Sequence, residues 1–300
     1  MRIVFLGTSG SMPTQSRGAS SLAIMRKGEM IMLDCGEGTQ RRMVEARLGF
    51  RRPMKVFISH LHGDHVLGLP GLLQTMTLLG REKELHLFGP EGLTSFIRAF
   101  SEVLGGPGFP LMIHEIRSEG VIFQGPEYDL MAVRADHEGE SWSFILEEHP
   151  RPGRFHPERA EALGLPTGPL WGRLQRGHDV EVDGRTVRSS EVVDPPRNGR
   201  KLAYSGDTRP NEAFIKAAEG ASVMIHEATF DASLEDKAEE GGHSTTVQAA
   251  EVAAKAGAER LFLTHISARY PEAEALLQEA VEVFPETTIA EDLMEYEVPR

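Results

Sequence analysis

Short apolar runs recur along the chain and predict strands at Ile3–Leu6, Ser21–Met25, Met30–Leu33, Lys55–Ser59, Leu85–Phe88, Gly120–Gln124, Leu130–Ala135, Trp142–Leu146, Lys201–Tyr204, Ser222–Ile225 and Arg260–Thr264. Apolar residues spaced by three or four predict helices at Thr39–Leu48, Leu69–Leu79, Gly92–Val103, Arg209–Glu219, Thr245–Ala256 and Pro271–Phe284. Both halves of the chain read as strands first and helices later. That order predicts an α/β fold in which two sheets pack together with helices outside.

One stretch breaks the pattern. From His149 to Asp194 the chain is punctuated by Pro and Gly, and its one short amphipathic candidate is Pro157–Leu163. An irregular insertion of this length is uncommon as a plain loop, so it is expected to be functional or separately folded. We read it as a protruding, flexible arm. Trp171 within it reads as packing of the arm rather than as a platform for stacked bases.

Composition narrows the class. With 300 residues, 40% hydrophobic content and no repeat, the chain is expected to be globular with a substantial core. Its one cysteine, Cys35, excludes an internal disulfide and a zinc ribbon, and suggests a reducing compartment, with the cytoplasm as default. Lacking a partner, Cys35 reads as a small buried residue. The opening apolar run, Ile3–Leu6, falls far short of a signal segment or the roughly 20 residues of a membrane span, so neither export nor membrane insertion is expected.

Net charge is −13, which taken globally argues against a polyanionic partner, because such partners are captured by Lys and Arg. The distribution says otherwise. Residues 1–59 carry ten Lys/Arg against four Asp/Glu, whereas residues 207–300 carry seven against twenty. Residues 149–178 hold five arginines (Arg151, Arg154, Arg159, Arg173, Arg176) against two glutamates. A polyanion therefore has somewhere to dock, and the acidic C-terminal third is expected to face solvent.

The densest chemistry lies in Ser59-His60-Leu61-His62-Gly63-Asp64-His65, directly after a predicted strand. Three imidazoles and a carboxylate on one tight loop are a metal-ligand density, suited to Zn²⁺ and related ions. His137, Asp207 and His265 each follow a predicted strand, where a sheet delivers side chains to a common edge. Together these seven groups suffice for two metals sharing one carboxylate. Such a pair, roughly 3.5–4 Å apart, stabilises hydroxide near neutral pH and clamps a phosphodiester for in-line attack.

His60-x-His62-x-Asp64-His65 with His137, Asp207 and His265 resembles the metallo-β-lactamase superfamily and, more narrowly, its ribonuclease Z branch of tRNA 3′-processing endonucleases. The narrower likeness has several parts: Phe5-Leu6-Gly7-Thr8-Ser9-Gly10, Leu33-Asp34-Cys35-Gly36-Glu37-Gly38-Thr39-Gln40, Tyr204-Ser205-Gly206-Asp207-Thr208-Arg209-Pro210, His226-Glu227-Ala228-Thr229-Phe230 and Gly242-His243-Ser244-Thr245-Thr246. It covers essentially the whole chain. It implies one domain, a four-layer αβ/βα sandwich of two mixed β-sheets, with 149–194 as an inserted exosite gripping the tRNA elbow. It further implies His60, His62 and His137 on one zinc, Asp64, His65 and His265 on the other, and Asp207 bridging. Asp64 would orient the nucleophile, and Asp34 would brace a ligand histidine. His243 would protonate the departing 3′ oxygen with Glu227 orienting it, although Glu227 could also be a structural cap and His243 a plain helix-start residue. Arg151, Arg154, Arg173 and Arg176 would contact phosphates of a precursor tRNA. A homodimer follows from the likeness alone.

The chain departs from the branch at one loop. Where many relatives carry Pro-x-Lys-x-Arg-Asn, a segment implicated in rejecting tRNAs that already bear CCA, it reads Pro13-Thr14-Gln15-Ser16-Arg17-Gly18. The same ligand residues also serve Mn²⁺ or Co²⁺. They would equally serve a small-molecule phosphodiesterase, and a non-catalytic RNA-binding protein is a third reading. His86, His114, His149, His156 and His178 have no constellation around them and receive no role.

Overall fold

The computed structural model describes residues 1–182 and 184–299. They divide into two compact units. The first comprises Met1–Gln124, Leu130–Leu146 and the chain from Lys201 onward; the second comprises Gly125–Asp129 and Glu147–Arg200.

Two seven-stranded sheets organise the first unit. One runs in the order Glu295–Glu297, Arg2–Gly7, Ser21–Arg26, Glu29–Cys35, Met54–Phe57, Leu85–Gly89, Leu111–Glu115. The other runs Thr287–Ile289, Leu261–Thr264, Val223–Glu227, Lys201–Tyr204, Trp142–Glu148, Tyr128–Arg134, Gly120–Gln124. Their facing sides meet through aromatic rings: Phe5 lies 5.2 Å from Phe262, and Phe57 lies 5.7 Å from Phe144, centroid to centroid. On its other side the first sheet packs Val4, Met32, Val56 and Leu87 against Met43, Leu72, Leu73 and Ile97 of the helices Thr39–Glu45, Gly68–Leu78 and Leu93–Leu104. The second sheet packs Ala203, Met224 and Leu263 against Phe214, Ala250, Val252 and Leu276 from Glu212–Ala217, Thr246–Lys255 and Glu274–Val283. Strands that read as continuous apolar runs are thus covered on both faces, as a layered α/β unit requires.

Side-chain caps explain where two predicted helices begin. Asn211 accepts from the amides of Ala213 and Phe214, so the helix expected at Arg209–Glu219 starts at Glu212; it runs to Ala217. Thr245 and Gln248 form a capping box that starts Thr246–Lys255. The strands Leu111–Glu115, Thr287–Ile289 and Glu295–Glu297 escape the sequence reading, because short mixed segments at sheet edges carry little periodicity.

The second unit has its own core: Ala160, Leu165, Leu174, Val180, Val187, Val192 and Val193, with Phe155 and Trp171 packed against it. In place of the single helix expected at Pro157–Leu163, it forms three short ones, Pro157–Ala162, Pro169–Gln175 and Ser189–Val192, and a hairpin of Val180–Val182 with Arg185–Val187. The Pro and Gly that broke the periodicity are partly helix-start prolines: Pro157 and Pro169 stand in first turns, where the missing N–H has no helical partner to lose. Trp171 donates its Nε1–H to Leu165 O and stacks obliquely on Phe155, so it serves the core of this unit. Among the described residues, no helix is long and apolar enough to cross a membrane.

Candidate metal centre

Parallel pairing aligns the carboxyl ends of Lys201–Tyr204, Val223–Glu227 and Leu261–Thr264. Asp207, Glu227 and His265 therefore emerge at one edge. In the other sheet, Glu29–Cys35 and Met54–Phe57 are likewise parallel and bring Asp34 and the histidine loop to their common end. This edge is where an α/β sheet ordinarily builds its site.

All seven sequence-predicted ligand residues converge there. His60, His62 and His137 form one group of potential ligands, and Asp64, His65 and His265 another; their ligand atoms lie within 4.8 Å of one another in each group. Asp207 stands between the groups. Its Oδ2 is 3.7 Å from His60 Nε2, 3.3 Å from His65 Nε2 and 3.2 Å from His265 Nε2. Asp64 Oδ2 lies 3.2 Å from His265 Nε2 and 3.5 Å from His65 Nε2, and accepts the Ser11 amide at 2.8 Å.

Acceptors behind the rings decide which nitrogens face inward. His65 donates Nδ1–H to Asp34 Oδ2 at 2.8 Å, and His137 donates Nδ1–H to Gly242 O at 2.7 Å. In each ring Nε2 is then the atom left to face its neighbours. His60 Nδ1 contacts Ser59 Oγ at 3.0 Å, while its Nε2 is buried with no hydrogen-bond partner. A buried nitrogen without a proton donor, set among carboxylates and other imidazoles, is costly unless a cation fills the gap. The residues present therefore fit a divalent cation, by donor type as well as by proximity.

Asp34 is the hub of the support. Besides His65 it accepts from Ser59 N at 2.7 Å, Ser59 Oγ at 2.9 Å and Tyr204 OH at 2.7 Å. Sequence reasoning does not single out Tyr204 or Ser59; a hydroxyl gains such a role only through tertiary placement. Two glycines allow the close backbone approaches at this edge. A Cβ on Gly36 would fall 2.2 Å from Asp64 O, and one on Gly242, whose φ is +72, would fall 2.7 Å from His137 Nδ1.

Charge in the cluster is strongly biased. Burial pulls His65 down, but Asp207 and Asp34 outweigh it and raise its pKa well above the ordinary value. Burial acts to raise Asp64, but the close approach of His265 and His65 wins and holds its carboxyl low. Burial likewise opposes Asp207, which His265 and His65 keep well below the usual range. Burial and the neighbouring His65 push His60 well down. Asp64 and Asp207 are thus favoured as carboxylates and His60 as a neutral ring, the forms in which these groups can hold a cation.

Glu227 and His243 form a pair beside the cluster, with His243 Nδ1–H donating to Glu227 Oε1 at 2.9 Å. Burial lowers the His243 pKa, but Glu227 and then Asp207 overcome it and raise it to about 9. His226, by contrast, is fully buried against Phe214, with Nδ1 on Glu227 O, and belongs to none of the ligand groups.

The four arginines named from sequence lie in the second unit. Arg154, Arg173 and Arg176 are exposed, with no side-chain ion pair among the described residues; Arg151 reaches Glu148 at 3.5 Å. Arg151, Arg176 and Arg188 line a cleft of about 660 Å³ together with Pro150, Pro195 and Pro196. Arg17 is occupied, donating to Thr8 Oγ1 and Ala290 O. Three histidines that read as isolated in sequence have partners: His86 and His114 share a hydrogen bond of 3.1 Å across adjacent strands, and His156 bridges Glu158 and Asp194 at 2.9 Å each. A fourth, His149, reaches Asp129 at 3.1 Å. Burial pushes the Cys35 thiol up to about 12, consistent with an inert packing residue.

Residues 1–102 match the family described as anti-Pycsar protein Apyc1, and residues 177–266 match the beta-lactamase superfamily domain. Ribonuclease Z of Methanosarcina acetivorans is 44% identical over 301 residues, which is 100% of this chain and 98% of that one. Ribonuclease Z of Methanothermobacter thermautotrophicus is 45% identical over 303 residues, 99% and 97% of the two chains. The crystal structure of the short form of human tRNase Z is similar at a TM-score of 0.74 and 30% identity, covering 100% of both chains.

Proposed function

The chain belongs to the ribonuclease Z family, and we propose that it is a metal-dependent endoribonuclease that removes the 3′ trailer of precursor tRNA and leaves a 3′ hydroxyl. The observation that carries the reading is Asp207 Oδ2, within 3.7 Å of ring nitrogens from His60, His65 and His265. One carboxylate facing three imidazoles suits a bridge between two cations. His60, His62 and His137 would hold one, Asp64, His65 and His265 the other. Two Zn²⁺ fit this donor set, and Mn²⁺ or Co²⁺ would also be accepted. When bound, the pair would supply Lewis-acid polarisation of water and of the phosphodiester.

The chain's own residues do the rest. Asp64, fixed by the Ser11 amide, orients the attacking water. As the water oxygen bonds to phosphorus and sheds a proton to solvent, the bond from phosphorus to the 3′ oxygen breaks, and the trailer keeps the phosphate. His243, its Nδ1 committed to Glu227, gives the Nε2 proton to the departing 3′ oxygen. Glu227 keeps the imidazole charged and correctly turned.

We read the whole chain as one metallo-β-lactamase-like domain carrying 149–194 as a flexible arm. Arg151, Arg154, Arg173 and Arg176 grip the tRNA through its phosphates, their guanidinium groups suited to paired bonds with phosphate oxygens. A cytoplasmic homodimer is the working assembly, tested by sedimentation of the purified protein.

The deciding experiment maps the 3′ end produced from a labelled precursor tRNA, with and without a chelator. One cut at the base of the acceptor stem, ending in a 3′ hydroxyl and abolished by chelation, is expected. A 3′ phosphate, or cleavage indifferent to the chelator, would refute the reading. Turnover confined to small phosphodiesters would move the assignment to a small-molecule phosphodiesterase.

A further inference from the structure

Thr229 lies just past the strand Val223–Glu227 and is buried. Its Oγ1 is 2.9 Å from Glu227 Oε2 and 2.8 Å from His265 Nδ1. A hydroxyl has one proton to give. Glu227 receives four donors: His243 Nδ1–H, Thr208 N–H, Thr229 N–H and the Thr229 hydroxyl. That saturation matches an ionised carboxylate, which can only accept. The Thr229 proton must therefore point at Glu227, and the hydroxyl is left able only to accept from His265. A proton of His265 is thereby fixed on Nδ1, which leaves Nε2, 3.2 Å from both Asp64 Oδ2 and Asp207 Oδ2, as the atom that would offer its lone pair to a cation held there.

From this chain of bonds we infer that Thr229 is a positioning residue that couples the proton-donating pair to the cation site, by letting the charge on Glu227 set the tautomer of His265. The inference rests on the reading above and deepens it. Glu227 would contact no cation, yet it would govern how well one is held. A role confined to closing the turn accounts for the Thr229 amide on Glu227 Oε2 at 3.1 Å. It leaves unexplained a hydroxyl held between two functional side chains.

Two substitutions separate these roles. Thr229→Val keeps the shape and removes the hydroxyl; Thr229→Ser keeps the hydroxyl. With Zn²⁺ as the probe, affinity is measured by competition with a chromophoric chelator, and kcat and KM are measured on precursor tRNA. T229V is expected to weaken Zn²⁺ binding about 10–100-fold and to lower kcat with KM little changed, while T229S retains both. Glu227→Gln leaves every proposed ligand in place. Its amide can turn an N–H toward Thr229 and release the hydroxyl proton to His265 Nδ1, so Zn²⁺ affinity is expected to fall here too. The double variant T229V/E227Q should bind Zn²⁺ no more weakly than T229V alone, since the route is already cut.

Unchanged Zn²⁺ affinity in T229V overturns the coupling, as do additive losses in the double variant. If T229V fails to fold, the affinity of E227Q decides alone. Zn²⁺ loss in a protein that never cleaves precursor tRNA would leave the coupling standing and sink the ribonuclease reading, so the two can fail separately.

Discussion

The sheet edge of the first unit and the exposed arginines of the second use charge in opposite ways. At the sheet edge of the first, imidazoles and carboxylates are buried and committed to one another within 3.2–3.7 Å. In the second, Arg154, Arg173 and Arg176 stand in solvent without ion-pair partners among the described residues. A buried, closely packed network completed by a cation holds a fixed geometry and fails abruptly when one member goes. Exposed guanidinium groups act independently, each adding a modest increment that salt screens. The first arrangement suits a chemical step, the second a large and electrically diffuse ligand.

Removing the centre of the network should produce the largest effect. Asp207→Asn is expected to lower cleavage of precursor tRNA more than about 10³-fold while tRNA affinity, read by gel shift, stays within a few fold. A comparable fall in binding would erase the contrast between the units.

His243→Ala sharpens it further. Loss of the proton donor should cost about 10²–10⁴-fold in kcat on RNA, yet little on bis(p-nitrophenyl) phosphate, whose phenolate leaves without a proton. The pH profile on RNA should share this asymmetry. His243 is raised to about 9, so its proton is present at neutral pH and lost as pH climbs toward that value. Cations bound beside Asp207 would take up part of that carboxylate's charge and move the falling limb below 9. The limb should be missing with the p-nitrophenyl substrate; an identical profile for both would remove His243 from the proton-donating role.

Exchanging residues 149–194 for a short linker should raise KM for precursor tRNA and spare the small substrate. Milder still is the quadruple alanine variant of Arg151, Arg154, Arg173 and Arg176. It should weaken tRNA binding and flatten the plot of log affinity against log salt by about one unit of slope for each phosphate no longer neutralised. An unaltered slope would show the arginines to be plain surface.

The smallest effect lies in the first unit but away from its site. Burial and then the neighbouring His86 lower the His114 pKa. The unfolded chain, with the ordinary value near 6.5, takes the proton first, so this contribution to stability is complete above that pH and lost on acidification. His114→Gln should abolish a pH-dependent difference in Tm of less than about 2 °C between pH 7 and pH 5.

What the sequence discloses follows the same division. The candidate ligand set is legible because four of its members crowd one loop and the others each follow an apolar run, where strand geometry alone brings them to a shared edge. The second unit is not: its helices are short, and the prolines and glycines that bound them hide their periodicity. Tyr204 and Thr229 escape because a hydroxyl carries no signal until a partner stands opposite it. The His86–His114 pair depends on the register of two strands, one of which has too little periodicity to be seen in the sequence.

The contact between Asp64 and His265 joins positions 201 apart in the chain. A ribosome must therefore release the chain through His265 before that contact can exist, and closing so long a loop carries a large entropic cost. An ion held by the group of Asp64, His65 and His265 would then mark that synthesis has passed His265. Fragments cut short before His265 would emerge inert, unable to nick the RNAs of the cell that made them.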